Sequence, residues 1–173
     1  MRSARAEESG VNVRRLVPDD AEAVRAVRLE ALANHPENFG ADHDAEAAQP
    51  LDWWRARMAH PAGAGFGAWI DGELAGIISF GAEQEPKHRH QGGIGSFYVR
   101  PGHRGQGVGD ALMAAALAEA TTRVEQVVLT VTASNAGAIG LYERHGFETV
   151  GRKPRSIRVG DDYHDEIEMW RRV

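Results

Sequence analysis

The chain has 173 residues, 42% of them hydrophobic and 26% charged, which is enough for one domain with a substantial core and too few for two ordinary catalytic domains. Twenty Lys and Arg against 25 Asp and Glu leave a formal charge of −5, so the composition argues against a broad nucleic-acid-binding surface. With no cysteine in the sequence, disulfides, a thiol nucleophile and thiolate metal sites are excluded, and chemistry falls to oxygen, nitrogen and backbone groups.

Residues 1–10 carry Arg2, Arg5, Glu7 and Glu8 with no apolar run, so they read as a disordered lead-in rather than a targeting segment. No stretch approaches the ~20 apolar residues of a bilayer span. A cytoplasmic location without membrane association is expected, with one domain over residues 11–173.

Val11, Val13, Leu16 and Val17 predict a first strand, stopped by Pro18, with Asp19 or Asp20 capping a helix over residues 21–33. Within that helix Ala23, Val24, Val27, Ala31 and Leu32 recur at helical spacing. Residues 35–50 read as a connection, and residues 51–59 as a short helix whose Trp53, Trp54 and Met58 need cover, either as a lid over the sheet or as a dimer face. Asp71-Gly72 between residues 66–70 and 74–82 is a strong hairpin signal. Strands follow at residues 93–99 and 127–132, the latter so continuously apolar that cover on both faces is expected. Between them residues 106–122 form an alanine-rich helix. Residues 135–145 form another, closed by Gly146. Two last strands, residues 149–159 and 163–170, flank an Asp161-Asp162 turn. The expected fold is α/β: a mixed, mostly antiparallel sheet of about seven strands with about four flanking helices.

The informative segment is "FYVRPGHRGQGVGDALMAAALAEA", residues 97–120, in which a strand runs into a glycine-rich turn that opens a helix. Gly105, Gly107 and Gly109 let backbone N–H groups converge where the helix dipole favours an anion. Arg104 beside a helix start repels that dipole unless an anion lies between them. Asp110 after Gly109 removes the Lys-Ser or Lys-Thr ending of a nucleotide-triphosphate loop, and the glycine spacing is wrong for a dinucleotide fingerprint. A tight turn with helix packing is the plain alternative.

The string "HRGQGVG", residues 103–109, resembles the acetyl-coenzyme A pyrophosphate motif of the GCN5-related N-acetyltransferase (GNAT) superfamily, with Arg104, Gly107 and Gly109 at its marked positions. "VTASNAGAIGLYERHGFETVG", residues 131–151, resembles the second half of the same core, and "VRRLVPDDAEAVRAVRLEAL" with "HPENFG" resembles its beginning. The resemblance implies an acyl-coenzyme A N-acyltransferase fold in which residues 93–99 and 127–132 form a splayed parallel pair. It implies acetyl-coenzyme A as cofactor, its pantetheine held by Phe97, Tyr98 and Val99 and by Asn135, and its pyrophosphate by Arg104, Gly105, Gln106, Gly107, Val108 and Gly109. Tyr142, two helical turns from Asn135, is placed near the thioester sulfur as proton donor. The backbone N–H of Val99 is placed to meet negative charge on the carbonyl oxygen. Asn135 is equally a helix cap, and Tyr142 equally a core aromatic beside Phe147.

No residue is forced as general base. Glu30, facing the loop that would rim the acceptor site, is the first candidate, followed by Glu83 and Glu85, each of which also reads as solvated surface. Phe39, Ser96 and Tyr163 are candidate acceptor contacts, with Ser96 and Tyr98 expected on one face of their strand and Phe97 and Val99 on the other. His88 and His90 lack the spacing of a metal site, and no metal is expected. The function expected is transfer of acetyl to the primary amine of a small molecule by direct attack on the thioester. A protein or peptide N-acetyltransferase and a non-catalytic coenzyme A-binding module stand as alternatives. The final edge strands make a homodimer possible.

Overall fold

A sheet that alternates large apolar residues on both faces needs helices on both, and this chain supplies them from two separate stretches. The computed structural model describes residues 10–173. The expected lead-in therefore lies outside the described residues except for Gly10, a turn residue with φ +65°.

Seven strands form the sheet: β1 (Asn12–Arg15), β2 (Gly63–Ile70), β3 (Glu73–Ala82), β4 (Gln91–Val99), β5 (Gln126–Thr132), β6 (Glu148–Val159) and β7 (Asp162–Arg172), in the order β1-β2-β3-β4-β5-β7-β6. Every neighbouring pair is antiparallel except β4 and β5. Asp71 (φ +50°) and Gly72 (φ +82°) make the β2–β3 turn, the two positive φ angles that a right-twisted hairpin requires.

Helices α1 (Ala21–Asn34) and α3 (Leu51–Ala59) cover one face of the sheet, and α4 (Val108–Thr121) and α5 (Ala136–Arg144) the other. The α4/α5 face holds the larger core, with Ile78, Phe80, Leu112, Met113, Val127 and Met169 all buried. On the α1/α3 face Leu16, Val27, Ala31, Leu74, Ile77 and Tyr98 form a smaller one. Ile77 and Ile78 enter opposite cores because strand side chains alternate.

Several boundaries differ from the sequence reading, each for a local reason. β1 stops at Arg15, because Leu16 turns its side chain under α1 and Val17 starts a 3-10 turn, Pro18–Asp20, where the Asp20 carboxylate accepts from the Val17 N–H at 2.9 Å. A short helix, α2 (His43–Ala47), sits within the expected connection, its start capped by Asp42 accepting from Ala45 N–H at 2.9 Å. β2 begins at Gly63, ahead of Phe66, because a Gly-Ala-Gly run has no hydrophobic alternation to announce it. β5 is not covered on both faces: Thr130 is exposed.

Candidate active site

β4 and β5 are joined at one end only. They pair at Gln91 with Gln126, Gly92 with Val127 and Gly93 with Val128, and beyond those positions they diverge, β4 staying with β3 and β5 with β7. On the β3 side, Arg100 N–H donates to the Ala75 carbonyl at 2.9 Å and Tyr98 stands opposite Ile77. Backbone direction alternates along a strand, so Phe97 and Val99 turn their N–H and C=O groups into the fork while those of Tyr98 turn to β3.

A bulge sharpens the geometry. Ile77 pairs with Tyr98 and Ser79 with Gly95, two steps on β3 against three on β4, and Ser96 in the extra length takes φ +49°. Plain alternation along β4 is thereby broken. Ile94 packs in the α4/α5 core and Tyr98, four residues on, in the α1/α3 core, while Phe97 and Val99 pack on the α4/α5 side, opposite Tyr98.

The glycine turn opens directly beside the fork. Gly105 (φ +74°) and Gly107 (φ +80°) adopt left-handed backbone, Gly107 stands as the cap of α4, and a methyl group at either would meet open space. The helix start expected at Gln106 is delayed to Val108 because those two conformations are not helical. Gly109 serves another purpose: a methyl there would lie 2.9 Å from Leu141 Cδ1, so its absence lets α4 and α5 approach. Arg104 reaches back, donating from Nε to the Val99 carbonyl at 2.9 Å, with its guanidinium 5.6 Å from the Tyr98 ring. The first turn of α4 presents N–H groups without helical partners at this point.

From the other side α5 adds Asn135, whose side chain accepts from the Ala138 N–H at 3.3 Å, and Tyr142. Tyr142 is buried between Phe97 and Phe147, each ring centroid 6.0 Å away. Burial pushes its hydroxyl pKa well above the ordinary tyrosine value, so the group stays protonated and available as a donor. The loop after α1 closes the rim. There Thr132 Oγ1 donates to the Glu37 carbonyl at 2.6 Å, the His35 ring lies 6.0 Å from that of Tyr98, and His35 Nδ1 is 3.8 Å from Glu37 Oε1. Together these elements enclose a cleft of about 780 Å³.

Twelve of the residues singled out in the sequence line it: Phe39, Ser96, Phe97, Tyr98, Val99, Arg104, Gly105, Gly107, Val108, Gly109, Asn135 and Tyr142. Gln106 does not, since its amide turns back to donate to the Gly102 carbonyl at 3.3 Å. Glu30 is outside the lining as well. Its Oε1 accepts from the Tyr98 hydroxyl at 3.1 Å and its Oε2 pairs with Arg100 Nε at 2.9 Å, so the carboxylate clamps α1 to β4 rather than facing the cleft. Burial, followed by the charge of Glu30, raises the Tyr98 pKa in turn. Glu83 and Glu85 are exposed beyond β3, and Tyr163 lies at the β6–β7 turn beneath the guanidinium of Arg155, 3.7 Å from its ring centre. None of the three reaches the cleft.

Sequence reasoning passed over His35 and Glu37, which stand on the rim, and Asp110, which the His145 ring meets at 2.9 Å. The "HPENFG" string had marked the place of the first two without separating their chemistry from Phe39.

A mostly antiparallel sheet forked at its one parallel pair, with a glycine-rich helix start at the fork, is the acyl-coenzyme A N-acyltransferase fold. Residues 25–147 match the Acetyltransferase (GNAT) family, and the chain belongs to it. Mycothiol acetyltransferase of Streptomyces avermitilis is 40% identical over 149 residues, which cover 81% of this chain and 44% of that protein. The chain therefore spans less than half the length of that relative. L-amino acid N-acetyltransferase AaaT of Escherichia coli K12 is 28% identical over 94% of this chain and 98% of its own. Among solved structures, yncA from Salmonella typhimurium with its cofactor acetyl-CoA superposes with a TM-score of 0.78 at 22% identity, covering 94% of this chain and 93% of that one, which shows the shared fold.

Proposed function

We propose that this chain transfers an acetyl group from acetyl-coenzyme A to the primary amine of a small molecule by direct attack on the thioester. The observation that carries the reading is the meeting, in one cleft, of the free edge of β4, the left-handed glycines before α4 and the buried, protonated Tyr142. The residues present suit the cofactor: N–H groups and Arg104 for a diphosphate, alternate backbone groups of Phe97 and Val99 for the amides of an extended arm, and no side chain over Gly105 or Gly107. When bound, acetyl-coenzyme A supplies a carbonyl carbon open to an amine and a sulfur that leaves as thiolate.

Each remaining task falls to a residue in place. The Val99 N–H points into the fork, where it stabilises charge developing on a carbonyl oxygen. Tyr142 donates its proton to the leaving sulfur. With Glu30 and Glu83 turned away, His35, on the cleft rim 3.8 Å from the Glu37 carboxylate, takes the proton of the incoming amine. The names of both curated relatives, mycothiol acetyltransferase and L-amino acid N-acetyltransferase, agree with a small-molecule acceptor.

Thiol release from acetyl-coenzyme A, measured over polyamines, amino acids, aminoglycosides and short peptides, tests this. Turnover with small amines that falls in Tyr142→Phe supports it. Turnover confined to peptides moves the assignment to a peptide acetyltransferase, and cofactor binding without turnover on any acceptor moves it to a regulatory binding module.

A further inference from the structure

Two rows of residues on the α1/α3 face of the sheet carry almost no side chain. In one, Gly63 of β2 stands beside Gly81 of β3 and Gly93 of β4; in the next, Gly65 stands beside Ser79 and Gly95. Ile77, on the same face of β3, packs in the α1/α3 core, and a methyl group on Gly65 would meet Leu16 of that core at 3.4 Å, which fixes the side. The opposite face of the same strands carries Ala64, Ile78, Phe80 and Ile94, all buried. Helices do not pack down onto the bare rows, since Gly81 and Gly95 are exposed and Ser79 is half-buried. Over Gly63, Gly65, Ser79 and Gly81 a second hollow opens instead, of about 410 Å³, walled by Leu16, Val24, Trp54 and Met58.

This hollow meets the cleft at the β4 bulge. Ser96 lines both, Gly95 beside it lines the cleft, and neither is paired with β5, so the strand edge there is open and carries no large side chain. The wall suits an uncharged occupant. Arg28 and Arg57 reach it, but they share the Glu46 carboxylate, Arg28 at 3.0 and 3.1 Å and Arg57 at 3.6 Å. The His60 ring is tied back, its Nδ1 accepting from the Ala62 N–H at 3.2 Å. Apolar side chains then face strand backbone whose polar groups are used in the ladder.

We infer that this hollow receives the acyl chain of the donor, so that the protein transfers linear saturated acyl groups longer than acetyl as well as acetyl itself. The inference rests on the transfer reading above and widens its donor. A diphosphate at Arg104 to Gly109 and an arm along Val99 and Phe97 bring the thioester to Ser96, where the hollow begins. From β4 to β2 the floor extends over two strand spacings, about 10 Å. An extended alkyl chain advances about 1.25 Å per carbon, so about eight carbons cover that floor. The bonds exchanged stay the same: the amine nitrogen bonds the carbonyl carbon and the carbon–sulfur bond breaks. His35 takes the amine proton and Tyr142 gives one to the sulfur, leaving an N-acylated amine and coenzyme A.

Calorimetry with acetyl-, butanoyl-, hexanoyl- and octanoyl-coenzyme A, in the absence of any amine, reads the hollow directly. Each buried methylene is worth up to about fourfold in affinity, so octanoyl-coenzyme A should bind the parent protein at least tenfold more tightly than acetyl-coenzyme A. In Gly81→Leu, whose new side chain starts in open space, the octanoyl-to-acetyl affinity ratio falls at least tenfold. Ser79→Leu makes the same test if Gly81→Leu does not fold. Thiol release with the amine that turns over acetyl-coenzyme A fastest gives a second reading, and the octanoyl-to-acetyl ratio in kcat/KM should follow the affinity ratio in parent and variants. Affinity that stays flat or falls with chain length in the parent, or a ratio that survives both fillings, overturns the assignment and leaves acetyl transfer standing. Fillings that raise the amine KM and leave the chain-length ratio alone overturn it too, by giving the hollow to the acceptor. Absence of thiol release with every amine, while affinity still rises with chain length, overturns transfer of acetyl and longer chains alike and keeps the hollow as the seat of the chain.

Discussion

The two hollows on either side of β4 are built from different materials. Around the α4/α5 cleft the chain offers mostly backbone: a bulged strand edge, two left-handed glycines and the first turn of a helix. Beneath α1 and α3 it offers side chains, Trp54, Arg28, Arg57 and Met58, set against a floor of glycine and serine. Backbone chemistry can be used for one fixed ligand and reproduced in any chain that keeps the glycines. Side-chain chemistry changes with each substitution, which suits the partner that must be distinguished from others.

That contrast can be attacked from the largest effect downward. Tyr142→Phe removes a buried hydroxyl from the backbone-built cleft while keeping the ring contacts with Phe97 and Phe147. A fall of about 10² to 10⁴ in kcat with coenzyme A affinity unchanged is expected from single-turnover and binding measurements, the range of a lost general acid. Glu46→Ala attacks the side-chain-built wall: it leaves the buried Arg28 guanidinium without its carboxylate, and denaturant unfolding should show a loss of about 3 kcal/mol. Gly107→Ala tests the backbone side, where φ +80° costs a residue with a Cβ about 1 to 2 kcal/mol. It should raise the KM for acetyl-coenzyme A and leave the ratio between acceptors alone.

The smallest effect lies away from both hollows and acts as a control. Asp20 accepts from the Val17 N–H and from both terminal nitrogens of Arg14, and the guanidinium holds its carboxyl below the usual carboxylate range. A depressed folded-state pKa means stability present above the unfolded value and lost as pH falls through the folded one. Asp20→Asn should therefore cost about 1 kcal/mol near neutrality, and thermal melts of parent and variant should converge below about pH 4.

The same contrast explains what the sequence disclosed. Gly105, Gly107 and Gly109 were legible because left-handed backbone and close helix packing accept almost nothing else, and Asp71-Gly72 fixed the hairpin for the same reason. Tyr142 was marked by the resemblance of residues 131–151 to the family's second motif, its two-turn spacing from Asn135 adding only that both lie along one helix face. The base did not follow, because a carboxylate announces its charge and not its partner: Glu30 faces Arg100 and the Tyr98 hydroxyl only once β4 lies beside α1. The bulge at Ser96 was equally hidden, since register depends on β3 and no residue in "GGIGSFYV" demands the extra step. Likewise Trp54 and Gly81 lie far apart in the sequence, and no local pattern joins them.

Three paired positions between β4 and β5 make the sheet two ribbons, of four strands and of three, fastened at one corner. A strand-like ligand in the fork adds rungs along the open length, acting as a mechanical tie between the halves. Saturation at a hundredfold excess over Kd should raise stability by about 2.7 kcal/mol. Amide exchange locates the tie: Phe97 and Val99, turned to the fork, should slow sharply on loading, while Tyr98, already turned to β3, should slow only as much as the fold as a whole.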